Sequence, residues 1–195
     1  LCVCPDGDFY EALRAGTADV VTDKIKNVTE NGIITDSGKT LDADIIVTAT
    51  GLKLQLAGGA KITVDSKPVI QSQKYIWNGQ MIQDVPNAVI VIGYTNASWT
   101  LGSDSTAINV CRLLKHMDKN GMAYATPRVP EGSNMVSRPM MDLSSTYVKK
   151  AQSTLPLAGN KGPWKPRVNY IIDRWTANYG SVTTDIEFTK VTKTG

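Results

Sequence analysis

Residues 88–101 read Ala-Val-Ile-Val-Ile-Gly-Tyr-Thr-Asn-Ala-Ser-Trp-Thr-Leu, and this stretch decides the fold prediction. Its first five residues are the most apolar strand candidate in the chain, and such a run is typical of a strand buried on both faces. Gly93 ends the run and a polar loop follows it. Residues 103–120 then have a helical pattern. A buried strand, a glycine exit and a helix in this order predict an α/β fold.

The predicted helix has an apolar stripe and terminal signals. Gly121 is expected to end it as a left-handed cap, while Thr100 or Ser103 serves as the N-cap and Asp104 lies in the first turn. The predicted buried stripe consists of Ala107, Val110, Cys111, Leu114 and Met117.

A second buried strand is predicted at Ile45–Val47, and it leads into Ala49-Thr50-Gly51. Before it, Asp8 is expected to cap a short helix that ends at Gly16. β-Branched stretches at 18–22, 23–29 and 33–35, with a turn at Asn31-Gly32, predict an antiparallel β-meander. Further turns are predicted around 65–67 and at Asn78-Gly79.

The composition shifts after Gly121, because six of the nine prolines lie between Pro127 and Pro166. Short helices are predicted near 147–152 and 167–178, where Tyr170, Ile171 and Trp175 form a stripe that could pack on another body. We therefore divide the chain into residues 1–121 and an arm, residues 122–195, that wraps a neighbouring surface. Taken alone, such a chain is expected to be α+β.

Composition excludes several classes of protein. The 195 residues are 42% hydrophobic and 20% charged, as in a globular protein, and the net charge is +3. Its 21 basic residues form no block that would predict a nucleic-acid partner. No apolar run reaches the length of a membrane span, and no leader peptide is evident. Three cysteines without metal-ligand spacing predict reduced thiols in a cytoplasmic protein and no metal site. The chain begins with Leu1, which suggests a fragment.

The two strand ends are the candidate site. Ligands of open α/β sheets bind at the carboxyl ends of strands, and glycines such as Gly51 and Gly93 let backbone approach a flat ligand. The helix that follows Gly93 would direct its amides at an anionic group. The alternative is that both segments are simply buried strands that end in glycine turns.

A resemblance bears on this choice. Asp44–Gly51 resembles the strand ending in Ala-Thr-Gly of flavin-containing and Baeyer–Villiger monooxygenases. Residues 93–101 are similar to the corresponding loop of the ethionamide-activating branch of that family, and they are the more specific match. The resemblance spans most of the chain, because further similar segments lie at 5–8, 20–23, 111–114, 163–164 and 169–170.

The resemblance implies the C-terminal part of a flavoprotein with two dinucleotide-binding domains, so that residues 1–121 complete its FAD-binding domain. It implies a monooxygenase that uses FAD and NADPH to transfer oxygen from O2 to ketones, sulfur or nitrogen centres. Trp99 would either line the substrate pocket or serve as a packing aromatic. The expected cofactor-binding residues are Thr50, Gly51, Gly93, Thr95, Asn96, Leu101 and Asp104, and the expected substrate-pocket residues are Ala97, Ser98 and Trp99.

The departures from the family are large. No Gly-x-Gly-x-x-Gly occurs in these 195 residues. The binding motifs for FAD and NADPH and the catalytic residues are therefore expected in a missing N-terminal part. This chain alone is therefore expected to be inactive. One alternative is a non-catalytic module that pairs with a partner carrying the dinucleotide sites, and another is a different flavoprotein such as a disulfide reductase. Exposed sheet edges predict homo-oligomerisation.

Overall fold

The computed structural model describes residues 4–94 and 97–190 and shows a mixed helix and strand architecture. Its contacts divide the chain into two units, Leu1–Gly51 and Leu52–Gly195. The boundary that we place at residue 121 refers to the family's domains and stays a prediction. No helix in the described residues is long and apolar enough to cross a membrane.

The first unit confirms the β-meander. Helix α1 (Asp8–Arg14) precedes strands β1 (Ile25–Thr29), β2 (Gly32–Thr35) and β3 (Thr40–Asp42), which form an antiparallel sheet in the order β1-β2-β3. Two details of the prediction are wrong. Asp8 is the first helical residue and Gly7 is the N-cap, without a side-chain hydrogen bond. Residues 18–22 form no strand, because neither β1, β2 nor β3 pairs with them.

The prediction of a buried strand at Ile45–Val47 is wrong for the described residues. No strand pairs with this segment, and Ile45 and Val47 are 81% and 83% exposed. A strand buried in a sheet needs neighbours on both sides to take its backbone hydrogen bonds. None of the described strands supplies them.

In its described residues, the second unit consists mainly of paired short strands and three α-helices. Its elements are β4 (Thr63–Val64), β5 (Lys67–Pro68), β6 (Ile76–Trp77), β7 (Met81–Ile82), α2 (Trp99–Asn120), β8 (Met122–Pro127), β9 (Arg138–Pro139), α3 (Thr146–Ala151), β10 (Leu157–Ala158), α4 (Tyr170–Tyr179) and β11 (Ile186–Lys190). The pairs β4-β5, β6-β7, β9-β10 and β8-β11 are antiparallel. The hairpin around 65–67 and the turn at Asn78-Gly79 are thus confirmed, with positive φ at the turn residues.

The second predicted buried strand is also absent. Residues 88–92 form no described strand, and Val91 is 55% exposed. One bond attaches the segment to the β6-β7 turn, where the Ile90 N–H donates to the Gln80 carbonyl at 2.7 Å. As at residues 45–47, the described chain offers no strand to pair with it.

The core of the second unit combines residues from before and after residue 121. Its buried members are Trp77, Met81, Leu113, Met117, Ala125, Trp164 and Val182. Both indoles are fully buried, and each donates a hydrogen bond: Trp77 to the Thr184 carbonyl at 2.9 Å and Trp164 to Asp185 at 2.7 Å. Burial of an indole requires such a partner. Residues around β8, Trp164 and β11 are therefore an integral part of this unit's packing.

Helix α2 buries a different face from the predicted one. Of the predicted stripe only Met117 is buried, whereas Ala107, Cys111 and Leu114 are exposed and Val110 is half-buried. The buried residues are Gly102, Ser105, Thr106, Asn109, Leu113 and Met117. The first half of the helix thus buries small and polar side chains, because it packs close to other backbone and to a buried arginine described below. Gly121 ends the helix in the left-handed conformation, as predicted.

An ion-pair network joins the β6-β7 region to the β8-β11 pair. Asp84 accepts hydrogen bonds from Lys74 Nζ at 2.6 Å and from Arg128 Nη1 at 2.7 Å, and Arg128 Nε reaches Glu187 at 2.6 Å. Burial is the largest single influence on Asp84 and would raise its pKa, but the two cations together outweigh it. The pKa of Asp84 therefore lies below its ordinary value.

Candidate functional site

Two glycines bring the start of α2 against the chain that precedes it. A methyl group on Gly102 would lie 2.8 Å from Gly93 Cα and 2.9 Å from the Ile92 carbonyl oxygen. A methyl group on Gly93 would collide with the Trp99 ring and lie 2.6 Å from Trp99 Cα. These neighbours are backbone atoms or a bulky ring, so neither glycine can be replaced without movement. We call this contact the Gly93–Gly102 crossing.

Helix α2 begins earlier than predicted. Ser98 is the N-cap and forms no side-chain capping bond, while its Oγ lies 2.8 Å from Thr100 Oγ1. The prediction of Thr100 or Ser103 as N-cap is therefore wrong, and Asp104 lies beyond the first turn. A glycine is unfavourable inside a helix, which is why the sequence indicated a later start. Here Gly102 is retained because the crossing excludes a side chain.

The early start changes which amides face outward. The N–H of Leu101 already donates to the Ser98 carbonyl at 3.2 Å. The open end of the helix, with its partial positive charge, therefore lies at Trp99 and Thr100 and not at 101–104 as predicted. Leu101 is half-buried, and Asp104 is exposed with its carboxylate 3.9 Å from Arg174.

The remaining predicted site residues fall into three groups. Ala97, Ser98 and Trp99 are exposed beside the crossing; the Trp99 ring lies against Gly93 yet remains 52% exposed. Thr95 and Asn96 lie outside the described residues. Thr50 and Gly51 are exposed and belong to the first unit, so their convergence with Gly93 stays a prediction.

A buried arginine lies beneath the crossing. Arg167 Nη1 donates to Thr106 Oγ1 at 2.8 Å, to the Gly102 carbonyl at 3.2 Å and, at 3.5 Å, to the Ile92 carbonyl. Its Nη2 donates to Gln80 Oε1 at 3.1 Å, and Gln80 in turn donates to Asn109 Oδ1 at 2.7 Å. We call these residues, Arg167, Gln80, Thr106 and Asn109, the arginine cluster.

The residue after Gly93 is held from helix α4. Tyr94 is 5% exposed; its hydroxyl donates to Asp173 Oδ2 at 2.7 Å, and its ring meets that of Tyr170 edge-on at 6.2 Å. Helix α4 is itself attached to α2, because Arg112 donates to the carbonyls of Ala177 at 2.8 Å and Gly180 at 2.7 Å. Both sides of Gly93 are thus fixed by the C-terminal part of the chain.

Burial governs the ionisation of this region. Burial lowers the pKa of the Arg167 guanidinium, although Tyr94 and Asp173 act in the opposite direction. Burial also raises the pKa of Asp173, partly offset by the Tyr94 hydrogen bond and the charge of Arg167. The pKa of Tyr94 is raised, first by burial and then by its hydrogen bond to Asp173. Tyr94 is therefore neutral, and Arg167 remains charged because a guanidinium does not lose its proton in proteins.

Two cavities share Arg167 as a wall. One, of about 310 Å³, is bordered by Ser105, Asn109 and Asp173. The other, of about 500 Å³, is bordered by Gly93, Ile92 and Met140. The volume of this second cavity is within the range of small-molecule sites, and the cavity opens on the crossing. A larger cavity of about 910 Å³ lies elsewhere in the second unit, between residues 52–72 and α3.

The sequence prediction missed the arginine cluster. Arg167 lies at the start of the predicted helix 167–178 but outside its apolar stripe. The acceptors of its hydrogen bonds are separated from it by 61 or more positions. The one available signal was the spacing of small residues at 102, 105, 106 and 109, which fits one helix face. The apolar stripe was preferred because apolar residues usually supply the buried face.

Comparison with known proteins finds relatives that are named as FAD-binding or FAD-containing monooxygenases. A protein of Acinetobacter baylyi named probable FAD-binding monooxygenase AlmA is 47% identical over 174 residues, which are 89% of this chain and 35% of the relative. The FAD-containing monooxygenase EthA of Mycolicibacterium smegmatis is 43% identical over 191 residues, 97% of this chain and 39% of the relative. EthA of Mycobacterium tuberculosis is 44% identical over 173 residues, which are 89% of this chain and 35% of the relative.

The chain thus spans little more than a third of the length of these relatives. No family profile matches it, and no solved structure matches it.

Proposed function

Since this chain belongs to the family of FAD-containing monooxygenases, we propose that it is the C-terminal part of an NADPH-dependent enzyme that transfers one oxygen atom from O2. The proposed substrates are ketones, which become esters, and soft sulfur or nitrogen centres. FAD, when bound, supplies the redox chemistry by which electrons from NADPH activate O2. The proposed whole is a cytoplasmic protein with a fold of two dinucleotide-binding domains.

The Gly93–Gly102 crossing is the observation that carries this proposal. It brings the open amide end of a 22-residue helix next to a glycine and a half-exposed tryptophan. A helix end of this kind favours negative charge, which reduced flavin carries at its pyrimidine edge. No acidic side chain lies between residues 97 and 103, so the site is chemically compatible with FAD.

The chain's own residues would divide the work. The amides of Trp99 and Thr100 would face the anionic edge of the flavin, and Gly93 would allow its ring to approach the backbone. Leu101 and Asp104 remain proposed as cofactor-binding residues that follow the open helix end, with the Asp104 charge opposed by Arg174. Thr50 and Gly51, with the Gly51 φ of +89°, remain proposed as the other strand exit.

Trp99, Ala97 and Ser98 would border the substrate. Replacing Trp99 with Ala in the complete protein should raise KM for an apolar ketone by about tenfold, because loss of a stacking aromatic costs roughly 1.4 kcal/mol. Trp175→Ala is the matched control, since Trp175 is 62% exposed on α4. Equal KM values for the two variants would exclude Trp99 from the pocket.

The activity itself is tested with the protein expressed from its complete coding sequence. Incubation with NADPH, 18O-labelled O2 and a panel of ketones and sulfides should give products carrying one labelled oxygen. Mass spectrometry of the products measures this directly. Absence of bound flavin, or products without the label, would overturn the proposal.

The isolated 195-residue chain provides a second test. Without a Gly-x-Gly-x-x-Gly turn it lacks the amides that hold a dinucleotide's pyrophosphate, so FAD should bind weakly and NADPH should not be oxidised. Calorimetric titration with FAD measures the affinity. Tight, stoichiometric binding would mean that the main affinity determinants lie in this chain.

A further inference from the structure

We infer that Arg167 is a positioning residue for the flavin-facing segment: it holds the Gly93–Gly102 crossing in place from the C-terminal part of the chain. This inference rests on the proposed function for its catalytic consequence. Its structural part stands on the hydrogen bonds of Arg167 alone.

The first step is the set of atoms that Arg167 joins. One guanidinium nitrogen reaches acceptors on both sides of the crossing, the carbonyls of Gly102 and Ile92, and also Thr106 Oγ1. The Thr106 and Gly102 bonds are the short ones, so the helix side is held more firmly than the Ile92 side. No other described side chain donates to the carbonyls of both Ile92 and Gly102.

The second step is the rigidity of the support. Arg167 lies three residues after Trp164, which is fully buried and bonded to Asp185. Its other nitrogen is bonded to Gln80, which is fully buried and bonded to Asn109. The aliphatic part of Arg167 lies beside Gly79, where a methyl group would come within 3.1 Å of it. The guanidinium is therefore held by buried groups on three sides.

The third step is the specificity for an arginine. A planar guanidinium donates from separate nitrogens in fixed directions, and Arg167 uses one of them for the crossing and the other for Gln80. A lysine ammonium carries its three donors on one nitrogen and does not reproduce this geometry. Lysine should therefore keep the charge but lose the connection between Gln80 and the crossing. This difference separates positioning from a simple need for positive charge.

The fourth step links the loss of the Arg167 hydrogen bonds to the proposed oxygen-transfer reaction. Arg167 acts through Gly93 and the start of α2, so it is not proposed to touch the flavin. If the crossing loosens, Trp99 and the open amides shift relative to the cofactor, and water gains access to the reacting oxygen. More of the NADPH consumed should then yield hydrogen peroxide in place of oxygenated substrate.

The test compares Arg167→Met, Arg167→Lys and the control Arg14→Met in the complete flavin-loaded protein. Arg14 is exposed in the last turn of α1, and its side chain bonds to none of the described residues. For both Arg167 variants, hydrogen exchange of the described amides within 92–106 should accelerate about tenfold, as expected when a charge-assisted hydrogen bond is lost. The hydrogen peroxide formed per NADPH should rise severalfold, while Arg14→Met behaves as the wild type.

The outcomes separate the two proposals. Faster exchange only in the Arg167 variants supports the positioning role even if the wild type oxidises no NADPH, a result that would overturn the proposed function instead. A lowered melting temperature with unchanged exchange and unchanged peroxide yield would show a merely structural role and overturn the inference. Should Arg167→Met not fold, Thr106→Val removes only the 2.8 Å acceptor and must show the same changes at smaller size.

Discussion

At the scale of single residues, Gly102 shows how a local preference is overridden. Alanine is favoured over glycine inside a helix by about 1 kcal/mol. At residue 102, however, the added methyl group would lie within 3 Å of the Gly93 Cα and the Ile92 carbonyl, both of them backbone atoms. Overpacking of this kind typically costs about 1–3 kcal/mol, so crowding outweighs propensity.

Gly102→Ala should therefore lower the free energy of unfolding by up to about 2 kcal/mol, although alanine is the better helix former. Ala107→Gly, at an exposed position of the same helix, measures the propensity alone and should cost about 1 kcal/mol. Urea denaturation of both variants checks the result. A stabilised Gly102→Ala protein would mean that the crossing is looser than described.

Asp84 joins three elements and offers a test by pH. Its folded-state pKa lies below the ordinary value of about 3.9, so the carboxylate stabilises the fold above about pH 4 and this contribution is lost as the pH falls through the folded-state pKa. Asp84→Asn should cost about 1 kcal/mol near neutral pH, since the network is partly exposed.

The same variant should cost less at about pH 3 than near neutral pH, because the carboxylate loses its charge as the pH falls through its lowered folded-state pKa. Asparagine tolerates the Asp84 φ of +63°. Asp65→Asn is the matched control, because Asp65 also has positive φ but is exposed in the β4-β5 turn. Chemical denaturation at both pH values gives the comparison, and a cost that does not change with pH would exclude an ionic origin.

At the scale of elements, local turn chemistry was predictable and pairing partners were not. The turns at Asn31-Gly32 and Asn78-Gly79 and the helix end at Gly121 follow from positive-φ preferences that act within four residues. Residues 45–47 and 88–92 have the composition of buried strands, yet a strand exists only where another segment pairs with it. Sequence composition alone does not tell which segment that is.

In the candidate site, too, local motifs were predictable from the sequence and long-range contacts were not. Residues 93–101 could be singled out because a contiguous motif carries them. Arg167, Gln80 and Asp173 could not, because their roles come from contacts across 60 to 90 positions of chain. The start of α2 was also misjudged, since the reason for Gly102 is a contact with Gly93 that only the folded chain reveals.

At the scale of the whole molecule, exposed apolar surface is the main feature. Ile45 and Val47 are more than 80% exposed within a β-branched run, and Ile171 and Trp175 on α4 are 76% and 62% exposed. Apolar segments with unpaired backbone tend to pair with other chains. We therefore expect the isolated 195-residue chain to self-associate.

The double variant Ile45→Thr with Val47→Thr should shift the isolated chain toward monomer in sedimentation velocity at micromolar concentration. Threonine keeps the β-branched shape while removing apolar surface. Val28→Thr with Val168→Thr is the control, because each of these exposed valines lies between polar residues and not in an apolar run. Equal effects of the two pairs would show that the Ile45–Val47 run is not the contact.

The position of Trp99 over Gly93 also has a spectroscopic consequence. Of the four tryptophans, Trp77 and Trp164 are fully buried, and Trp99 and Trp175 are more than half exposed. Buried and exposed indoles differ in emission wavelength and in access to iodide, so the chain carries two fluorescence classes. With Trp175 replaced by Phe, the red-shifted class reports Trp99 alone. Trp99 would then serve as a natural fluorophore at the crossing, and energy transfer to a flavin bound there would quench its emission.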